Sequence, residues 1–262
     1  MGKSATANQL QPIVIEGVAY FASDFHFGAP NVEASLQRET LVLQWLDAIA
    51  PEVNHLFLLG DIFDFWFEYR DVVPRGYFRF FAKLLELRDK GVEIYYFTGN
   101  HDMWVKDYFI QELGMRIFRE PQHFVINGKH CFIGHGDGLD PKDRGYLFIK
   151  KLFAMRAHIA MYGALPPRWA FKLARFCSHT SRAQNDKAYA QNEEKARRQE
   201  ESTLEFIRNV LKSEHYDYFI FGHRHLPMEV SVEEGVIYYN TGDWIQHNSY
   251  LRMSQEFISL SL

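Results

Sequence analysis

Five apolar runs in this chain each stop at a small residue followed by a metal-seeking side chain. Val18 to Ala22 leads into Ser23-Asp24-Phe25-His26, and His55 to Leu59 into Gly60-Asp61-Ile62-Phe63-Asp64. Ile94 to Thr98 leads into Gly99-Asn100-His101-Asp102, Cys131 to Ile133 into Gly134-His135-Gly136-Asp137, and Tyr218 to Phe221 into Gly222-His223-Arg224-His225. Short apolar runs bounded by glycine read as buried strands. Glycine at a strand end lets the backbone turn sharply or approach closely whatever is bound. Five such endings imply neighbouring strands delivering side chains to one site beyond their carboxyl ends, where ligands sit in α/β proteins.

The side chains themselves suit metal. Residues i and i+2 of an extended chain point to the same side, so Asp24 and His26 can reach one ion, and His223 and His225 one cluster. Asp61 adds a carboxylate, Asn100 a carbonyl oxygen and His135 an imidazole. Seven donors exceed one tetrahedral ion and suit two ions sharing a bridging carboxylate. Oxygen and imidazole without thiolate point to manganese, iron or zinc. His55, His123, His130, His158, His179, His215 and His247 lack such a context and read as structural.

Strand and helix signals alternate from Ile13 to Gly136. Leu36, Leu43, Leu46 and Ile49 share helical spacing within Glu33 to Ala50. A second helix spans Tyr77 to Asp89 before Gly91, and a third Met103 to Leu113 before Gly114. Asn127-Gly128 between the runs Gln122 to Ile126 and Lys129 to Ile133 marks a hairpin. From Arg144 to Arg182 the chain reads as basic amphipathic helices, interrupted at Gly163 and Pro166-Pro167. A polar helical stretch, Asn185 to Ser213, follows. Glu229 to Val232, Val236 to Asn240 and Phe257 to Leu260 read as antiparallel strands. The chain thus divides into a core of residues 1–140 and 200–262 and a helical cap insertion of residues 141–199.

With 262 residues, the chain can build one large core plus a small insertion. No apolar stretch reaches the roughly 18 residues of a spanning helix. The polar N-terminus, Met1 to Gln11, lacks a signal-peptide core, although Gly2 and Thr6 match the myristoylation pattern. Two cysteines, Cys131 and Cys177, do not make a disulfide framework, and Cys131 reads as a small core residue. A cytoplasmic setting is expected. Net charge is −4, but Pro141 to Arg198 holds 13 Lys and Arg against 4 Asp and Glu, a net of +9, leaving −13 elsewhere. That asymmetry is either a solvated helical face or a surface for an anionic partner. The apolar content of the insertion argues against a nucleic-acid groove. Nothing in the sequence fixes the oligomeric state.

The set Asp-x-His, Gly-Asp-x-x-Asp, Gly-Asn-His-Asp, Gly-His-Gly-Asp and Gly-His-Arg-His resembles the calcineurin-like metallophosphoesterase superfamily. The resemblance runs from Asp24 to His225. It implies a four-layer α/β/β/α sandwich of two mixed sheets, with two divalent metals between strand ends. By motif position, Asp24, His26, Asp61 and His225 would hold one ion. Asp61, Asn100, His135 and His223 would hold the other, with Asp61 bridging. Such a pair suits in-line displacement at phosphorus. His101 would steady or protonate the transferring phosphoryl group. Asp64 would orient the His101 ring, or else cap a helix.

His135-Gly136-Asp137-Gly138-Leu139, Asp143, Gly145-Tyr146, and the basic helices up to Ser181-Arg182-Ala183-Gln184-Asn185 are similar to the bacterial UDP-2,3-diacylglucosamine pyrophosphatases of lipid A synthesis. That family releases UMP and 2,3-diacylglucosamine 1-phosphate, with manganese, at the cytoplasmic face of the inner membrane. The likeness implies a nucleotide-sugar lipid as substrate and an anionic membrane surface as partner. Candidate substrate contacts are Asn100, His101, Asp143, Ser181, Asn185, Lys187 and His223. Phe148, Ile149, Leu152, Phe153, Met155, Trp169 and Phe171 would line an acyl cleft or form ordinary insertion core. Lys150, Lys151, Arg168, Lys172 and Arg175 would meet anionic headgroups. The best-known pyrophosphatases carry Arg at the position of His101 and Glu at that of Asp64, so a phosphoesterase acting on another phosphodiester or pyrophosphate is the alternative.

Overall fold

The structure, a computed structural model, describes residues 11–140, 143–174 and 193–261, with side chains from residue 200 in the last segment. Its strands are β1 (Ile13–Ile15), β2 (Ala19–Ala22), β3 (His55–Leu58), β4 (Glu93–Phe97), β5 (Arg116–Phe118) and β6 (Gln122–Ile126). Then come β7 (Lys129–Ile133), β8 (Tyr218–Phe221), β9 (Pro227–Glu233), β10 (Val236–Thr241), β11 (Tyr250–Met253) and β12 (Ile258–Ser261). The helices are α1 (Val32–Ile49), α2 (Phe78–Asp89), α3 (Tyr108–Leu113), α4 (Arg144–Ala154), α5 (Arg156–Gly163), α6 (167–174) and α7 (Glu193–Leu211).

Two six-stranded mixed sheets form, in the orders β12-β11-β2-β3-β4-β5 and β1-β6-β7-β8-β10-β9. The central strands β2, β3, β4 and β8 are apolar on both faces, and alternation sorts their side chains into layers. Phe21, Phe57, Tyr95, Phe124, Cys131, Ile133 and Ile220 fill the space between the sheets. In register across β2, β3 and β4, the rings of Phe21, Phe57 and Tyr95 stack at 4.5 and 4.6 Å. On one outer face Tyr20, Leu56, Leu58, Ile94 and Tyr96 pack under α1, α2 and α3. On the other, Phe219, Phe221 and Tyr238 pack under α7 through Ile207. This is the expected four-layer α/β/β/α sandwich.

The hairpin turn forms as the sequence predicts, with Asn127 and Gly128 both left-handed (φ 51° and 77°), as a two-residue turn of this hand requires. Leu36 departs from expectation: it is exposed, and the buried face of α1 is Ser35, Arg38, Glu39, Val42, Trp45, Leu46 and Ile49. The polar members at its start brace the loop after β2. Gly28 N donates to Ser35 Oγ (2.8 Å), and Arg38 donates to His26 O (3.1 Å) and to Ala29 O. The third helix starts only at Tyr108, because Trp104 is held against Phe67 in a β-bridge. Two short strands, β5 and β11, escape the sequence reading. In the tail, β10 is antiparallel to β9 but parallel to β8. A hairpin is visible locally, whereas a parallel partner distant in sequence is not.

Helices α4 and α5 contain no fully buried residue. Aromatic contacts attach this segment to the strand-end loops. Tyr162 lies 4.8 Å from both Phe67 and Trp104, and Phe171 meets Phe65 at 5.6 Å. Trp104 Nε1 donates to Phe153 O at 3.0 Å. Phe148 and Trp169, by contrast, are 67% and 65% exposed.

Candidate metal centre

Strands β2, β3 and β4 are parallel neighbours in one sheet, and β7, β8 and β10 in the other. Their carboxyl ends therefore meet at one rim, bringing together the motifs that follow them. The chain bends hard there. Asp24 (φ 56°), His26 (45°), Asp61 (52°), His223 (69°) and His225 (57°) are all left-handed. Such backbone costs about 1–3 kcal/mol per non-glycine residue and persists only where the surroundings over-determine it.

Backbone bonds supply that restraint. Asp24 N and His26 N donate to Gly60 O and Asp61 O at 3.0 and 2.9 Å. Each carboxylate then divides its labour. Asp24 Oδ2 accepts from His223 N (2.9 Å) and Asp61 Oδ1 from His101 N (2.8 Å), fixing neighbouring loops. The remaining oxygens turn to the imidazoles. Asp24 Oδ1 is 3.2 Å from His225 Nε2, and Asp61 Oδ2 is 3.4 Å from His135 Nε2 and 3.8 Å from His26 Nε2. A methyl group on Gly99 would run into the Asp61 carboxylate, so the third motif needs its glycine for close approach.

Hydrogen bonds also settle which ring nitrogens face inward. His135 Nδ1 lies 2.6 Å from Leu59 O, and a carbonyl can only accept, so Nδ1 carries the proton. Its Nε2 is left facing Asp61 and, at 3.4 Å, Asn100 Oδ1. His26 Nε2 and His225 Nε2 approach to 3.2 Å. Among the described residues, three groupings are compact enough to hold an ion: Asp24, His26 and His225; His26, Asp61 and His101; and Asp61, His135 and His223. Asp24 Oδ1 is buried with no hydrogen-bond donor. A buried, unbonded carboxylate oxygen among converging imidazole nitrogens fits divalent cations.

The electrostatics agree. Burial alone would raise the Asp24 and Asp61 carboxyls, yet the imidazoles of His225 and His135 hold both well below the usual range. Burial is likewise overcome at His135 and His225, which Asp61 and Asp24 push up to about 10. At His26 and His223 burial prevails and lowers both to about 4. Without metal, the site thus stores protons on two imidazoles to balance two carboxylates.

All seven expected ligands converge here. His101 lies beside them, its ring edge-on to His26 at 4.8 Å. Its Nδ1 donates at 2.9 Å to the carbonyl of Asp64, whose carboxylate stands farther off at 3.7 Å. The contact expected from the Asp64 side chain is therefore made by its backbone. Asp143 caps α4, accepting from Tyr146 N at 2.9 Å. Ser181, Asn185, Lys187 and Arg175 lie outside the described residues.

Three further carboxylates border the site. Asp102 accepts from Gly99 N (2.7 Å), Ile62 N (2.9 Å) and Tyr96 Oη (2.5 Å), pinning the second and third motif loops together. Asp137 meets Tyr146 Oη and Lys150 Nζ, both at 2.8 Å. Both belong to the motifs already quoted and could have been marked there. Asp243 lies 3.2 Å from His225 Nδ1 and 3.1 Å from His247 Nδ1. The sequence reading passes over it, although Thr241-Gly242-Asp243 after the apolar run of β10 repeats the ending of the five motifs, and His247, read as structural, holds it in place.

Residues 19–227 match the calcineurin-like phosphoesterase family. A UDP-2,3-diacylglucosamine hydrolase of Porphyromonas gingivalis (strain ATCC BAA-308 / W83) is 35% identical over 240 residues, 88% of this chain and 92% of the relative. That of Neisseria gonorrhoeae (strain ATCC 700825 / FA 1090) is 26% identical over 233 residues, 88% of this chain and 91% of the relative. A cold-active protein-tyrosine phosphatase of a psychrophile, Shewanella sp., is 12% identical with a TM-score of 0.46, over 97% of this chain and 80% of that one. This chain belongs to the calcineurin-like phosphoesterase family. It is a hydrolase, and its buried Asp/His cluster is a site for divalent metal.

Proposed function

We propose that the chain hydrolyses the pyrophosphate of UDP-2,3-diacylglucosamine to UMP and 2,3-diacylglucosamine 1-phosphate, a step of lipid A biosynthesis. The reading is carried by the 35% identity to the Porphyromonas gingivalis hydrolase over nearly the whole chain, joined to a complete donor set. Asp24, His26, Asp61 and His225 are assigned to one ion, and Asp61, Asn100, His135 and His223 to the other, with Mn2+ preferred over Fe or Zn. When bound, the two ions supply activation of water and positive charge opposite the phosphoryl oxygens.

The protein's own residues do the rest. Asp61 joins the two ligand groups. His101, its Nδ1 proton committed to Asp64 O, offers Nε2 to the phosphoryl oxygens or to a moving proton. With Asn100, His223 and Asp143 it forms the substrate contact set, to which Ser181, Asn185 and Lys187 are added from the sequence. A cavity of about 560 Å3 opens beside His135. Its lining sets Arg119 and Lys151, and Lys150 paired with Asp137, beside Glu120 and the apolar Leu139, Leu147 and Phe206, so charged and apolar groups face one space.

Residues 141–199 are taken as the cap and residues 1–140 and 200–262 as the core. Exposed Phe148, Met161 and Trp169 beside Lys151, Arg168 and Lys172 suit the anionic cytoplasmic face of the inner membrane. Among the described residues no helix is long and apolar enough to cross a membrane.

Purified protein supplied with UDP-2,3-diacylglucosamine and Mn2+ is expected to release UMP. No UMP, alongside brisk turnover of a generic phosphodiester, would favour another phosphodiester or pyrophosphate as substrate, the alternative that His101 in place of Arg raises.

A further inference from the structure

The strand end that the five motifs leave out is that of β10, where Thr241-Gly242-Asp243 follows the apolar run. It lies parallel to β8, and its last residues reach the same rim as the ligand motifs. Asn240 Nδ2 donates to Gly222 O (2.6 Å), and Ser249 Oγ to Thr241 O (2.7 Å). Trp244 N donates to Asp24 O at 3.3 Å. These bonds brace Asp243, which is 2% exposed and lies beyond the residues that match the family.

The two oxygens of Asp243 have separate tasks. Oδ1 accepts from Gln246 N (3.0 Å), His247 N (3.1 Å) and His247 Nδ1 (3.1 Å), which fixes the plane of the carboxylate. Oδ2 lies 3.2 Å from His225 Nδ1. On its other side, His225 presents Nε2 to Asp24 Oδ1 and His26 Nε2, each at 3.2 Å. A ring with Nδ1–H committed to a carboxylate has Nε2 free for a cation, and its basicity is raised.

We propose that Asp243 is the positioning residue that fixes the orientation and tautomer of His225 for metal binding. The inference rests on the two-metal reading above and concerns the ion assigned to Asp24, His26, Asp61 and His225. His247 seats Asp243 from the solvent side.

Asp243→Asn tests this without changing shape. The asparagine oxygen is required by the two backbone N–H groups of Gln246 and His247. Its amide NH2 must then face His225 Nδ1, which forces the proton onto Nε2, the nitrogen a cation needs. Metal-free protein is titrated with Mn2+ by calorimetry, and thermal unfolding of the same metal-free samples is recorded. Wild type is expected to bind two ions. Asp243→Asn is expected to bind one of them about 10–100-fold more weakly, the usual effect of losing a partner of a ligating histidine. The other ion should be unmoved, and the metal-free unfolding midpoint, which falls with loss of the Asp243–His225 ion pair, fixes the temperature at which both proteins are folded for the titration. In a His225→Ala background, Asp243→Asn is expected to cost nothing further, because its effect passes through that ring. Asp243→Ala gives the same comparison if the asparagine variant does not fold. Equal Mn2+ affinity in variant and wild type, or an equal loss with and without His225, overturns the inference. Wild type binding fewer than two ions overturns the two-metal reading itself, a separate result.

Discussion

The rim of strand ends and helices α4 to α6 stand side by side and are built on opposite terms. At the rim, Asp24, His26, Asp61 and His135 are almost fully buried, and each is held by a backbone bond from another loop or to one. In α4 and α5 nothing is fully buried, and the segment is attached through a few aromatic rings. Chemistry at phosphorus tolerates little displacement of the groups that perform it. Choice of substrate can reside in a surface that yields.

The sharpest way to break this comparison is at the rim. Asp61→Ala removes the carboxylate shared by both ligand groups and is expected to lower kcat by about 10^3-fold or more. Turnover within tenfold of wild type would sink the shared-centre reading. His101→Gln should cost about 10^2-fold or more while leaving Mn2+ affinity unchanged, since the side chain is assigned to the phosphoryl group. His101→Arg separates charge from proton transfer. If it keeps turnover of the lipid substrate, transfer through that ring is not required.

The proton store predicts how metal uptake responds to pH. His135 and His225, raised to about 10 without metal, must each release a proton when a cation displaces it. Mn2+ affinity is therefore expected to rise with pH, by up to about tenfold per unit for each proton displaced, up to about pH 10. Calorimetry in buffers of different ionisation enthalpy reads the released protons directly. The sign for stability is opposite. A raised imidazole stabilises the metal-free fold fully below about pH 6.5, and that contribution is lost as pH rises through about 10.

The smallest effect belongs to the helices. Replacing Phe148 and Trp169 together by serine removes exposed apolar surface and is expected to change stability by under about 0.5 kcal/mol. Turnover of substrate in anionic vesicles should fall several-fold, while hydrolysis of a soluble phosphodiester stays level. An equal fall in both would move these residues from membrane contact to fold maintenance.

Much of the centre was legible because its code is local. Small residue, then Asp, Asn or His, at the end of an apolar run is a pattern within a few residues, and the fold repeats it at five strand ends. The short continuous apolar runs of β2, β3 and β4 likewise foretold buried strands. Leu36 misled because helical spacing does not say which neighbour a helix meets. The start of α1 faces the loop after β2, so Ser35 and Arg38 turn inward instead.

The amino-acid sequence by itself determined the ligand types, their order and the strand ends that carry them. Tertiary structure alone decided that β10 lies parallel to β8 and brings Asp243 to His225, since the Gly242-Asp243 ending places a carboxylate at a strand end without saying which ring it meets. It also decided that Asp64 meets His101 through a carbonyl and that Phe148 and Trp169 face outward. The physical reason is the range of the forces. Periodicity and turn preference act over a few residues, whereas the hydrogen bonds that aim an imidazole are set by whichever chain segment packs beside it.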